Sequence, residues 1–198
     1  MNNYFIILAA GSSKRFAHKK PKQYFVYKNK AIYEHSLEKA LNSKLFNKIV
    51  LVVDNINKIK KKYYKNILVI KGGKKRFEST LIALKKIKKF KPQNVLIHDA
   101  ARPNFSERLL KKILKNLKTN RVVVPILRSK DSIKYKHKKQ ILNLKKNNSF
   151  LTQTPQAFKF KELYNLAIKE GGKEEIEDEA ALFLNNNYKV RFISVENE

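Results

Sequence analysis

The sequence predicts an α/β fold built on a mostly parallel sheet, and three observations predict it. Short apolar runs at 3–8, 48–53, 67–70, 94–98 and 122–126 alternate with longer stretches at helical spacing, the pattern of strands joined by crossover helices. The runs are apolar nearly throughout, as buried strands of parallel sheets are. The two loops richest in small and charged residues follow Leu8 and His98. Both fall at carboxyl ends of strands, where open α/β sheets hold their ligands.

Each element has its own reason. Residues 3–8 (NYFIIL) make the first strand, and AAGSSKRF follows as a small-residue loop. Ile32, Ser36, Leu37, Ala40 and Leu41 recur at helical spacing and place a helix over 32–41. The strand at 48–53 ends at Asp54, and the one at 67–70 is closed by Gly72 and Gly73 before helical periodicity resumes over 78–89. The strand at 94–98 leads into DAARP and a helix over 107–117, and 122–126 is a fifth strand. Residues 161–169 and 178–184 read as helices and 189–194 as a last strand. Between them, 128–153 breaks the pattern: Ile133, Tyr135, Ile141, Leu142 and Leu144 alternate around a polar KHKK tip. That is an extended β-arm, too poor in apolar surface to stand alone, and it is expected to clasp a partner subunit. No repeat or linker divides the 198 residues, so a single domain over 1–198 is expected.

Composition excludes several classes. With no Cys there are no disulfides, iron–sulfur clusters, thiolate zinc sites or cysteine nucleophiles. The apolar runs are too short for a membrane helix, and no basic stretch precedes the first of them, so a cytoplasmic protein without a signal peptide is expected. The net charge is +29, but 38 of the 45 cations are Lys and seven are Arg. Specific nucleic-acid readers lean on Arg for bidentate contacts; lysines spread along 58–62 and 85–91 read as solvated faces, so no specific nucleic-acid partner is expected.

The chemistry concentrates in LAAGSSKRFAHKKPKQY, residues 8–24. Ala9, Ala10, Gly11, Ser12 and Ser13 let backbone N–H groups approach a phosphate chain, and Arg15, Lys19, Lys20 and Lys22 surround that backbone with cations. The order is neither that of a P-loop nor that of a dinucleotide fingerprint.

LAAGSSKRF with PKQY resembles the signature of sugar-phosphate nucleotidyltransferases. Together with GGKKRFES (72–79), HDAARP (98–103) and TPQAF (154–158), it resembles the 2-C-methyl-D-erythritol 4-phosphate cytidylyltransferases of isoprenoid biosynthesis. The resemblance implies a Rossmann-like sheet flanked by helices, a β-arm over 128–153 that makes a homodimer, and Mg²⁺. It implies transfer from CTP to 2-C-methyl-D-erythritol 4-phosphate with release of pyrophosphate. By the same resemblance Arg15 and Lys22 are catalytic, stabilising the pentavalent phosphorus. Ala9, Ala10, Gly11, Ser12, Ser13, Gly72, Gly73, Arg76, Ser79, Asp99 and Ala100 hold the nucleotide. Arg102, Ser132, Lys146 and Thr154 hold the sugar phosphate, and Asp99 is the metal neighbour. His98 reads instead as a buried strand-end histidine.

Three departures bear on these roles. Lys74 stands where the family often has an acid, and Lys146 where its arm carries an arginine, which keeps the charge but loses the bidentate fork. The family continues to a further lysine, whereas this sequence ends at Glu198, so a fragment or an unfilled role is expected there. The alternatives are a ribitol-5-phosphate cytidylyltransferase of the same fold, against which Ala101 argues, and a non-catalytic basic nucleic-acid-binding protein.

Overall fold

The structure, a computed structural model, describes residues 1–13, 21–170 and 176–195. In chain order the elements are β1 (Asn3–Ala9), β2 (Val26–Tyr27), β3 (Lys30–Ala31), α1 (Ile32–Asn42), β4 (Lys48–Val53), β5 (Ile67–Lys71), α2 (Arg76–Ile87) and β6 (Asn94–Asp99). There follow α3 (Glu107–Leu117), β7 (Val122–Arg128), β8 (Ile133–His137), β9 (Gln140–Leu144), β10 (Phe150–Thr152), β11 (Gln156–Lys159), α4 (Phe160–Glu170), α5 (Glu179–Asn185) and β12 (Arg191–Ser194). The main sheet runs β10-β7-β11-β6-β1-β4-β5, with β12 added in parallel to β7.

β1 lies at the centre, parallel to β4 on one side and to β6 on the other. Its side chains alternate between two cores, as a period of two requires. Phe5, Ile7 and Ala9 pack with Leu37 of α1 and Leu110 and Ile113 of α3. Tyr4 and Ile6 pack with Leu84 of α2, Leu163 of α4 and Phe183 of α5. Each fully buried Leu, Ile or Phe contributes about 1.5–3 kcal/mol by leaving water, so the sheet is held from both faces. Because β1, β4, β5 and β6 run the same way, the loops after Ala9, Val53, Lys71 and Asp99 emerge on one edge.

Three features differ from the sequence reading. The helix expected over 78–89 starts at Arg76, because the Glu78 carboxylate reaches back to the Lys74 and Lys75 backbone N–H groups at 2.8 and 3.3 Å. The strand β11 lies antiparallel between β6 and β7, hidden in a motif too short to show a period. The stretch 128–153 is not one continuous arm. Arg128 ends β7 and Phe150–Thr152 return to pair with it in the main sheet, while β8 and β9 form a separate two-stranded hairpin. This hairpin exposes Tyr135, Ile141, Leu142 and Leu144.

Candidate active site

Among the described residues, two cavities open at the carboxyl edge of the sheet. The larger, about 730 Å³, is lined by Ala10, Gly11, Ser12, Ser13, Lys22, Gln23, Gly73, Lys74, Lys75, Arg76, Ser79, Asp99, Ala100, Ala101 and Arg102, with Leu8 at its base. The second, about 620 Å³, shares Ala101 and Arg102 with the first and adds Phe105, Arg108, Lys112, Gln153 and Thr154. Arg102 therefore stands on the wall between them.

The loop after β1 is held from below by Gln23. Its amide N–H donates to the Ala9 carbonyl at 2.9 Å and to the Gly11 carbonyl at 2.7 Å, and its oxygen accepts from the Ser13 hydroxyl at 3.1 Å. The Ser13 hydroxyl also accepts from the Lys22 backbone N–H at 3.1 Å. These bonds keep Ser13 at a φ of 52°, a left-handed conformation that a non-glycine residue holds only where its surroundings impose it. With the carbonyls turned down onto Gln23, the loop is left free to present N–H groups to an anion. Gln23, buried and within PKQY, was not singled out by the sequence reading. Replacing Gln23 by Leu leaves the buried Ala9 carbonyl and the Gly11 carbonyl without this donor, and should cost ~1–3 kcal/mol of stability. Denaturant unfolding checks this; an unchanged unfolding free energy would show that the loop holds its shape without the clamp.

Opposite, the glycine pair fits closely under the loop. A Cβ on Gly72 would lie 2.6 Å from the Ala10 Cβ and 2.6 Å from the Ser79 hydroxyl, so only glycine fits there. The Ser79 hydroxyl accepts from the Gly73 N–H at 3.1 Å and donates to the Lys75 carbonyl at 3.2 Å. It holds the turn as well as lining the cavity. Lys74 also lines the cavity and adds a cation there.

Asp99 lies between two guanidinium groups, 3.1 Å from Arg76 Nε and 3.4 Å from Arg102 Nε. No helix follows directly from it; α3 is capped by Ser106, whose hydroxyl accepts from the Leu109 N–H at 3.0 Å. Arg76 extends on to Glu179, with Nη1 at 2.8 and 2.9 Å from the two carboxylate oxygens. Burial opposes the charge of Arg76, but the Glu179 and Asp99 carboxylates outweigh it and raise its pKa.

His98 is fully buried behind this wall, its Nδ1 2.9 Å from the Thr154 hydroxyl, which accepts from the Asp99 N–H at 3.4 Å. It packs edge-on to Phe105. Burial pushes the imidazole from its ordinary 6.5 down to about 3, so the folded chain keeps it neutral while the unfolded chain protonates it. Stability is therefore full above about pH 6.5 and falls as pH drops toward the folded value, by up to ~1.4 kcal/mol per pH unit. Carboxylates add their own losses only further into acid, so the interval from about pH 6.5 to about pH 5 reports His98. Unfolding free energies across that interval should decline in the wild type and flatten in His98→Gln. Equal slopes would remove His98 from the account.

The structure thus brings together Ala10, Gly11, Ser12, Ser13, Lys22, Gly73, Arg76, Ser79, Asp99, Ala100 and Arg102 around one cavity, with Thr154 in its neighbour. Ala9 is buried and contributes its carbonyl to the Gln23 clamp. Gly72 sits beneath, against Ala10 and Ser79. Arg15 lies outside the described residues. Ser132 and Lys146 lie on the hairpin segment and line neither cavity; the Ser132 hydroxyl is 3.3 Å from the Asn143 side chain and accepts from Lys134 at 3.0 Å.

A mostly parallel α/β sheet thus carries a small-residue loop, a glycine turn and convergent cations at its carboxyl edge. The family model for 2-C-methyl-D-erythritol 4-phosphate cytidylyltransferase (IspD) matches residues 4–197. The chain belongs to that family. It is 48% identical over 198 residues to the bifunctional enzyme IspD/IspF of Pelagibacter ubique, covering 99% of this chain and 53% of that protein. It is 37% identical to the 2-C-methyl-D-erythritol 4-phosphate cytidylyltransferase of Thermosipho africanus, over 93% of this chain and 85% of that one. Among solved structures, the 4-diphosphocytidyl-2C-methyl-D-erythritol synthase of Anaerococcus prevotii superposes with a TM-score of 0.84 at 28% identity, over 98% of this chain and 89% of that one. The bifunctional IspDF of Campylobacter jejuni gives 0.84 at 28% identity, over 99% of this chain and 50% of that one. The chain spans about half the length of these bifunctional relatives.

Proposed function

We propose that the chain transfers the cytidylyl group of CTP to the phosphate of 2-C-methyl-D-erythritol 4-phosphate, releasing pyrophosphate, as a cytoplasmic homodimer that uses magnesium. The observation that carries this reading is the pair of cavities meeting at Arg102, one beneath a phosphate-compatible loop and the other lined by further cations. Two anions must meet for the reaction to occur. Unit charges ~4 Å apart repel by about 4 kcal/mol at an effective dielectric near 20, so catalysis is chiefly neutralisation and alignment. The N–H groups of Gly11–Ser13 and the Lys22 ammonium meet the triphosphate, with Arg15 assigned to the same chain of phosphates by the family pattern. Arg102 faces the acceptor's phosphate, supported by Thr154, with Arg108 and Lys112 on the far wall of its cavity. The acceptor oxygen then attacks the α-phosphorus as pyrophosphate departs in line, and no protein nucleophile is needed.

Asp99 is the one acidic side chain lining the nucleotide cavity among the described residues. That fits a magnesium ion, which commonly takes one or two carboxylates and completes its shell with substrate phosphates and water. When bound, the ion neutralises phosphate charge beside Asp99. Dimerisation is supported by the exposed apolar side chains of the β8–β9 hairpin, since an isolated two-stranded hairpin is marginal in water. No helix among the described residues is long and apolar enough to cross a membrane. Incubation with Mg²⁺, each of the four ribonucleoside triphosphates and either methylerythritol phosphate or ribitol 5-phosphate tests the assignment. Pyrophosphate is expected from CTP with methylerythritol phosphate. Release with ribitol 5-phosphate alone would overturn it.

A further inference from the structure

We infer that Glu179, on α5, is a positioning residue for nucleotide binding: its buried carboxylate orients Arg76, and Arg76 in turn fixes Asp99 at the cavity wall. The role of Asp99 toward the metal-bound nucleotide rests on the cytidylyltransferase reading; the linkage itself rests on geometry. Glu179 is fully buried, and a buried carboxylate persists only when paired and hydrogen-bonded. It receives Arg76 Nη1 on both oxygens and the Thr80 hydroxyl at 2.6 Å. Arg76 is therefore locked at its outer nitrogen, which leaves the Nε edge aimed at Asp99, 3.1 Å away. A contact serving only to pack α5 against α2 would end at Arg76. This one continues to the cavity.

The position of Glu179 is itself determined by the motif that flanks Asp99. Gln156, the first residue of β11, accepts from the Ala180 N–H at 3.3 Å and donates to Asp178 at 2.9 Å. Asp178 caps α5 through the Ala181 N–H at 3.0 Å. Two residues before Gln156, Thr154 accepts from the Asp99 backbone. The segment 154–156 thus reaches Asp99 twice, directly through Thr154 and, through Gln156 and the residues on either side of Glu179, by way of Arg76.

A double-mutant cycle read by equilibrium CTP titration, with and without Mg²⁺, tests this on the full chain. Glu179→Gln keeps the shape and removes the charge that orients Arg76. It should weaken CTP binding in Mg²⁺ by about tenfold, yet by less than about twofold when Asp99 is already Asn, because a residue acting through another loses its effect with it. Equal losses in both backgrounds would show that Glu179 does not act through Asp99 and overturn the inference, as would an unchanged affinity in Glu179→Gln alone. Should Glu179→Gln not fold, Thr80→Val removes one of the carboxylate's partners and runs the same cycle, with a smaller loss in the same direction. Failure of the transfer reading shows separately, as no pyrophosphate from wild-type protein given CTP and methylerythritol phosphate, whatever the cycle gives.

Discussion

Lys22→Ala is expected to lower kcat about 10²–10³-fold while KM for CTP stays within about threefold, the pattern of a charge realised in the transition state. The Lys22 side chain lines the nucleotide cavity, at the start of a short helical turn whose Gln23 also clamps the loop. Its backbone N–H is bound by Ser13, so the ammonium is carried on a turn tied to the loop proposed to meet the triphosphate. A charge placed on a preorganised wall gains most as negative charge grows on the transferring phosphorus and the leaving pyrophosphate. Steady-state kinetics with CTP varied at saturating acceptor reads the effect. A rise confined to KM would mean that Lys22 binds the ground state only.

Two impaired variants are expected to restore one another. If the hairpin segment serves the neighbouring subunit, Lys146 completes a site whose Lys22 belongs to the other chain. Lys22→Ala and Lys146→Ala homodimers should each be nearly inactive. After joint unfolding and refolding in equal amounts, about half the dimers are mixed, and in each mixed dimer one site carries both lesions and the other neither. About a quarter of wild-type activity should therefore return. The geometry behind this is that Lys146 lines neither cavity of its own chain, while the adjoining hairpin exposes Ile141 at 72%. Recovery near zero, with mixed dimers verified by mass, would confine the segment to its own subunit.

Much of this was legible in the residues. The strands β1, β4 and β6 announce themselves as continuous apolar runs, because both their faces are covered by helices. The loops expected after Leu8 and His98 leave their strands one residue later, after Ala9 and Asp99, at the edge to which parallel strands direct their carboxyl ends. What stayed hidden has physical reasons. β11 has only four residues, Gln156–Lys159, too few for a period to show. Residues 128–153 read as one extended unit because alternation marks strands without saying which partner they pair with. Glu179 is one of several acids in 170–179, with nothing in the residues to single it out, and its partner Arg76 is 103 residues away. Gln23 carried no signal of its own: a polar residue among lysines looks solvated until the fold turns it under the loop.

The proposed transfer of the cytidylyl group between the two cavities can be followed through the α-phosphorus of CTP. With α-labelled CTP, Mg²⁺ and methylerythritol phosphate, the label should pass into one product that also contains the methylerythritol carbon skeleton, with one pyrophosphate released for each. Label recovered as free CMP or CDP, whether or not the sugar phosphate is present, would show hydrolysis and contradict the account.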